Sequence, residues 1–221
     1  MSDGALRDGE QVVRIVAQTA VDNEKYFGEL DAVVGDGDLG YSLARGFSKL
    51  LEGWDEMEYE DLGGLLKKTA LVLSGRIGGT SGPIWGTAFL RAGVALTPTP
   101  EPSSEQVVAA LRAGLEGIKQ RGGADVGDKT LIDALQPAID RLEAVLNDGG
   151  SASEGVAAAA ETATEAAAAT KGMVAMRGRA AYTGERSRDS VDAGATAVAV
   201  IFKAVSESWT PGGVPSRGER P

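Results

Sequence analysis

The chain has 221 residues, 43% of them hydrophobic, with 22 Lys+Arg against 32 Asp+Glu for a formal net charge of −10. That is enough apolar material for a core, and the acidic balance argues against nucleic acid as a partner, because phosphate binding needs a basic footprint. The absence of any Cys or His excludes disulfides, thiolate or imidazole metal sites, cysteine nucleophiles, Ser-His-Asp triads and a phosphohistidine on this chain.

Read in chain order, the sequence predicts an all-α bundle or barrel of about eight antiparallel amphipathic helices. The first opens at an Asp8 N-cap, repeats Val12, Ile15 and Val16 at helical spacing and ends near Gly28. The second carries Leu43, Phe47, Leu50 and Leu51 on one face. A third spans about 59–74 with Leu62, Leu65, Leu66 and Leu73, and a fourth follows Gly82 with Ile84, Phe89 and Leu90. After a Pro-rich connector at 97–104, Ser103 and Gln106 form a capping box for a fifth helix to about Gln120. The sixth repeats Leu131, Leu135, Ile139, Leu142 and Leu146. Ser151 and Glu154 cap an Ala-rich seventh to Ala169, and the eighth runs 195–209 with Val198, Ile201, Phe202 and Val205 inward. Residues 1–209 read as one domain and 210–221 as a flexible tail. No apolar run spans a membrane and no signal-peptide pattern opens the chain, so a cytoplasmic protein is expected.

Of the 31 glycines, 16 cluster in four inter-helix segments, 35–40, 75–86, 117–127 and 172–194. Glycine serves where backbone must approach a ligand closely, so these loops predict a site built from helix ends. The first loop places Asp31, Asp36 and Asp38 within eight residues. Such carboxylates can converge on a hard cation such as Mg²⁺, and they can equally cap their own turn. Gly35, Gly37 and Gly40 match a dinucleotide fingerprint in spacing, but the two intervening aspartates repel a pyrophosphate and no βαβ unit surrounds them. Tyr41 and Phe47 occupy the EF-hand positions that require Gly and Glu, and there is no P-loop. The run 78–83 (GGTSGP) before a helix offers amides and hydroxyls to phosphate, and equally reads as an ordinary capped turn. Segment 121–130 is a polar, Gly-rich helix entry. Residues 171–188 hold Lys171, Arg177, Arg179, Arg186 and Arg188 against Glu185 alone, a local positive excess suited to phosphate oxygens. Together these parts suit phosphoryl transfer, where catalysis is positioning and electrostatics.

Four segments, 30–46 (LDAVVGDGDLGYSLARG), 78–86 (GGTSGPIWG), 122–133 (GGADVGDKTLID) and 178–194 (GRAAYTGERSRDSVDAG), resemble the nucleotide-binding L subunit of the dihydroxyacetone kinase family, over roughly residues 8–208. The resemblance implies an eight-helix barrel with ADP or ATP and two Mg²⁺ at one end. It puts metal ligation on Asp31, Asp36 and Asp38. It puts nucleotide contacts on Leu39, Gly40, Tyr41, Ser42, Thr80, Ser81, Gly122, Leu131, Arg179, Asp192, Ala193 and Gly194, with Arg179 assisting catalysis. It also implies a separate substrate-binding K subunit and, in phosphotransferase-system members, a phosphohistidine-bearing subunit that recharges the nucleotide. The substrate is then dihydroxyacetone or another short ketose such as erythrulose. The family's usual loop has His and Asn where this chain has Leu39 and Ser42. A regulatory subunit that binds nucleotide without turnover is the alternative. A fatty-acid kinase resembles this chain in its N-terminal domain, but would need a lipid-protein docking region that the sequence lacks.

Overall fold

The computed structural model describes residues 4–97 and 99–212, and among these it contains helices, turns and no strand. Nine α-helices follow in order: α1 Gly4–Asp22, α2 Glu24–Asp31, α3 Leu39–Glu52, α4 Leu62–Arg76, α5 Ser81–Ala95, α6 Ser104–Gly122, α7 Ile132–Asn147, α8 Ala152–Ala169 and α9 Ala193–Ser208. Helix α1 packs on α3, each helix from α3 to α9 packs on the next, and α9 returns to α1. This closes a ring of eight, with the short α2 laid against α3 and α9. The expected all-α barrel is therefore present, with one helix more than anticipated.

The helix starts follow local chemistry. Ser103 and Ser151 each form a complete capping box, with Gln106 and Glu154 respectively, and Asp61 caps α4 by accepting from the Gly64 amide at 2.6 Å. Two expectations at the N-terminus are corrected. Helix α1 already runs at Gly4, so Asp8 is not its cap; the Asp8 carboxylate instead accepts from the Gly212 amide at 2.8 Å. The first helix also does not run unbroken to Gly28. Asn23 leaves helical geometry (φ −103, ψ 16) and its side-chain amide donates to the Thr19 carbonyl at 2.9 Å, a local bond that competes with the helical ladder. Chain direction changes there, and α2 delivers Asp31 to the end of the barrel.

The interior follows the helical periodicities. Phe27, Leu43, Phe47, Leu50, Leu65 and Leu73 are buried in one cluster with Val13, Val16 and Ile201. Phe47 meets the Trp85 and Phe89 rings edge-on, at centroid distances of 5.9 and 6.5 Å. The Ala-rich α8 buries Ala159, Ala163 and Ala167 against α7 and α9, where small side chains let the helices approach. Leu90, one of the apolar residues carried by α5, is 46% exposed. Of the tail expected at 210–221, residues 213–221 lie outside the described residues.

Because the ring helices alternate in direction, four connections share one end of the barrel: residues 32–38, 77–80, 123–131 and 170–192. All four glycine-rich segments thus contribute to one surface. The connections at 53–61, 96–103 and 148–151 lie at the other end.

Candidate functional site

At the glycine-rich end the acidic loop is held by close backbone packing. Gly40, in the first turn of α3, lies against α2: a Cβ there would collide with the Glu24 carbonyl and stand 2.6 Å from the Gly28 amide nitrogen. A Cβ at Gly35 would overlap the Asp31 carboxylate and lie 2.8 Å from the Asp31 carbonyl oxygen. Only glycine at these two positions lets the loop fold this tightly over Asp31.

That fold brings one carboxylate oxygen from each of Asp31, Asp36 and Asp38 within 4.8 Å of one another. Asp31, at the end of α2, is half-buried and accepts from the Leu39 amide at 3.4 Å. Burial is the main force raising its pKa; the Leu39 amide opposes this, the Asp36 charge adds to it, and the Gly37 amide and Asp38 charge follow with smaller opposed effects. A half-buried carboxyl crowded by two like charges gains from a cation, and an all-oxygen donor set suits a hard one. The Arg179 guanidinium pairs with Asp36 and stands 3.8 Å from Asp38, while its side chain remains 62% exposed. Of the five basic residues in its loop, Arg177 and Arg188 turn elsewhere, to backbone carbonyls and to the carboxylates of Asp128 and Glu185 respectively. Arg177 donates to Gly123 O at 2.6 Å and Arg188 to Gly172 O at 3.0 Å.

The other candidates fall around this cluster. Leu39 and Ser42 sit in the first turn of α3. Leu39 packs against the main core, and Ser42 is buried with its hydroxyl facing Gly78. Gly79 faces the Asp38 carboxylate, so the 77–80 turn borders the carboxylates directly. Thr80 precedes α5 with no side-chain cap bond, and Ser81 opens the helix. Tyr41 is 58% exposed; its ring lines a shallow depression of about 480 Å³ beside the loop, with Gly28, Gly37 and Lys25. Leu131 lies against Gly194. Gly122, at the end of α6, is exposed near Ile84. Asp192 caps α9, its carboxylate accepting from the Ala195 amide at 2.7 Å ahead of Ala193 and Gly194. Burial pushes its pKa up to about 6; the Ala195 bond lowers it, and the nearby charges of Asp133 (raising), Lys129 (lowering) and Asp31 (raising) act more weakly.

The long basic loop is not irregular throughout: it contains 3-10 turns at Thr170–Gly172 and Ala180–Ser187, the latter kinked at Gly184. Sequence reasoning missed the buried polar residues in and beneath it, Thr170 and Ser187 in the loop and Lys129 and Asp133 below. Asp133 accepts from the Gly127 and Thr130 amides at 2.6 and 2.7 Å, and the Thr130-x-x-Asp133 spacing is a capping signal that could have revealed it. Thr170 accepts from the Asp192 amide at 2.8 Å and donates to Ala167 O. Among the described residues no helix is long and apolar enough to cross a membrane.

A family model described as the DAK2 domain matches residues 33–207. The chain is 35% identical over 189 residues to the ADP-binding subunit DhaL of PEP-dependent dihydroxyacetone kinase 1 from Listeria innocua, covering 85% of this chain and 88% of that one. It is 36% identical to the corresponding Escherichia coli subunit, covering 81% and 85%. It is 34% identical to the L-erythrulose 1-kinase of Mycolicibacterium smegmatis, of which it spans only 37% while 95% of its own length is covered. The crystal structure of the C. freundii dihydroxyacetone kinase in complex with AMP-PNP and Mg²⁺ superposes with a TM-score of 0.72 at 32% identity, covering 94% of this chain and 34% of that one.

Proposed function

The chain belongs to the DAK2 domain family, and we propose that it is the ADP/ATP–Mg²⁺-binding, phosphoryl-transferring subunit of a kinase for dihydroxyacetone or a related short ketose such as erythrulose. The observation that carries this reading is the convergence of Asp31, Asp36 and Asp38 with Arg179 at the glycine-rich end of the barrel. In it, residues 1–209 work as one L-type domain, and a separate K subunit presents the ketose hydroxyl to the open end. Relatives named PEP-dependent or PTS-dependent subunits favour a phosphoprotein as the ultimate donor, with bound ADP as carrier.

The three carboxylates of Asp31, Asp36 and Asp38 would hold Mg²⁺, two ions on this reading, and that metal would draw charge from the nucleotide's phosphate oxygens. The chain's own residues do the rest. The tight Gly35–Gly40 loop holds the carboxylates in place before ligand arrives, so little reorganisation is left to pay for on binding. The exposed Arg179 guanidinium supplies planar donors to phosphate oxygens and stabilises the charge that develops as the phosphoryl group moves. Residues 78–80 present their amides at the head of α5, with the Thr80 and Ser81 hydroxyls beside them.

A second reading, a nucleotide-binding regulatory subunit without turnover, is favoured by Leu39. This side chain packs into the core where the family's usual histidine would stand.

The test is calorimetric and thermal titration with ADP, with and without Mg²⁺, on the native chain, Asp36→Ala and Asp38→Ala. ADP at a hundred times its Kd stabilises by about 2.7 kcal/mol, roughly 5–11 °C for a chain of this size. That rise should vanish in EDTA and in both variants, whose Kd weakens by about a hundredfold or more while the helical circular dichroism stays unchanged. Equal stabilisation in EDTA would sink the reading. Transfer assayed with a K subunit separates the enzyme from the regulator.

A further inference from the structure

Lys129 is 2% exposed, lies under the basic loop and is not among the residues assigned above to nucleotide or metal. Its backbone is left-handed (φ +60), which a non-glycine residue adopts only when its surroundings demand it. Its ammonium donates to three backbone carbonyls, Met173 O at 3.1 Å, Ser187 O at 2.5 Å and Ser190 O at 2.7 Å. An ammonium has three donors, so its capacity is filled. Burying a cation is costly without such bonds, and burial indeed lowers the pKa of this ammonium.

All three carbonyls belong to the loop that carries Arg179, and they bracket it in sequence. The remaining ties act mostly within that loop: Ala175 N donates to Ser187 Oγ at 2.8 Å, and Asp189 N to Lys171 O at 3.0 Å. The links to the 123–131 segment are Met176 N to Asp128 O at 3.0 Å, the half-exposed Arg177 and the Lys129 ammonium. Of these, only the ammonium gathers both flanks of Arg179, which itself reaches Asp36 and Asp38 from an exposed position. We propose that Lys129 is a positioning residue: it fastens the 173–190 loop to the α6–α7 connection and thereby holds the Arg179 guanidinium over the aspartate cluster. Arginine could not substitute, because its planar fork cannot direct three donors at carbonyls converging on one point.

The consequence for turnover rests on the phosphoryl-transfer reading; the fastening itself does not, and the experiment separates the two. The full chain is compared with Lys129→Met, Arg179→Ala and the double variant. Trypsin cleavage after Arg177, Arg179 and Arg186 is followed by mass spectrometry, beside phosphoryl transfer with a K subunit. Lys129→Met should speed cleavage within the loop by about tenfold or more, as local opening does, with helical circular dichroism retained. It should lower kcat by roughly the same hundredfold scale as Arg179→Ala, with KM for the nucleotide shifted by less than about threefold. The double variant should be no slower than the slower single variant, because Lys129 acts through Arg179. Unchanged cleavage, or losses that multiply in the double variant, would overturn the proposal. If the native chain transfers no phosphate with any K subunit, the functional reading falls, while cleavage still decides the fastening. Should Lys129→Met not fold, Lys129→Gln, which is shorter and keeps at most two of the three bonds, should give intermediate cleavage; cleavage at the native rate would refute the role.

Discussion

Removing Arg179 should tighten the binding of free divalent metal even as it slows catalysis. The guanidinium pairs with Asp36 and stands 3.8 Å from Asp38, so a metal ion entering the carboxylate cluster must compete with it. The Arg179, Asp36 and Asp38 side chains are 62%, 35% and 48% exposed. Ion pairs this open to water contribute about 0.2–1 kcal/mol each. Two of them set a competition of at most about 2 kcal/mol, so Arg179→Ala should bind Mn²⁺ about two- to thirtyfold more tightly in the absence of nucleotide. Titration followed by electron paramagnetic resonance at low ionic strength measures this directly. Exposed charges are screened in salt, so the gap should narrow as salt is raised to 1 M, where the Debye length is about 3 Å. On the proposed phosphoryl-transfer reading, transfer should move the opposite way, falling about a hundredfold, as loss of one donor to phosphate oxygens would predict. Weaker or unchanged Mn²⁺ binding in the variant would refute the competition, and with it the view of Arg179 as a group shared between carboxylates and phosphate.

Leu39→His puts an imidazole where a leucine packs against the core. It should cost about 1–2 kcal/mol in urea denaturation and change ADP affinity by less than about tenfold; a large loss of ADP binding with unchanged turnover would show that Leu39 packs the nucleotide itself. Asp192 sets a pH dependence of unusual sign. Its pKa rises from an unfolded value of about 3.9 to about 6 in the fold. The folded state therefore binds its proton more tightly, and the stability it contributes is full below pH 4 and lost as pH rises through about 6. Asp192→Asn, which can still cap α9, should flatten that loss and be more stable than the native chain by about 1–2 kcal/mol at pH 8 in EDTA; a parallel pair of pH curves would refute the shift. Phe47→Ala, which empties a fully buried site between Trp85 and Phe89, should lower unfolding free energy by about 3–5 kcal/mol, measured by denaturant titration with the m-value unchanged.

What the sequence by itself determined is what depends on near neighbours in the chain. A capping box is an i, i+3 interaction, so the starts of α6 and α8 could be read from Ser103/Gln106 and Ser151/Glu154 and stand as expected. The apolar stripes of α3 and α9 follow from helical periodicity, and the three aspartates fall within eight residues, beside glycines that announce a tight turn. The break at Asn23 was not legible, because Asn is tolerated inside helices and only the competing bond to Thr19 O shows that it ends one. Leu90 is as apolar as Phe89 beside it, yet only Phe89 packs against the core, because which side of α5 faces inward depends on the neighbours in the ring. Tertiary structure alone decided that Arg179, rather than Arg177 or Arg188, reaches Asp36 and Asp38, since that pairing joins loops far apart in the chain. It decided the role of Lys129 for the same reason. In the sequence a lysine between Asp128 and Thr130 reads as a solvated loop charge; only the closing of the ring lays the 170–192 loop over it and makes three distant carbonyls its solvent.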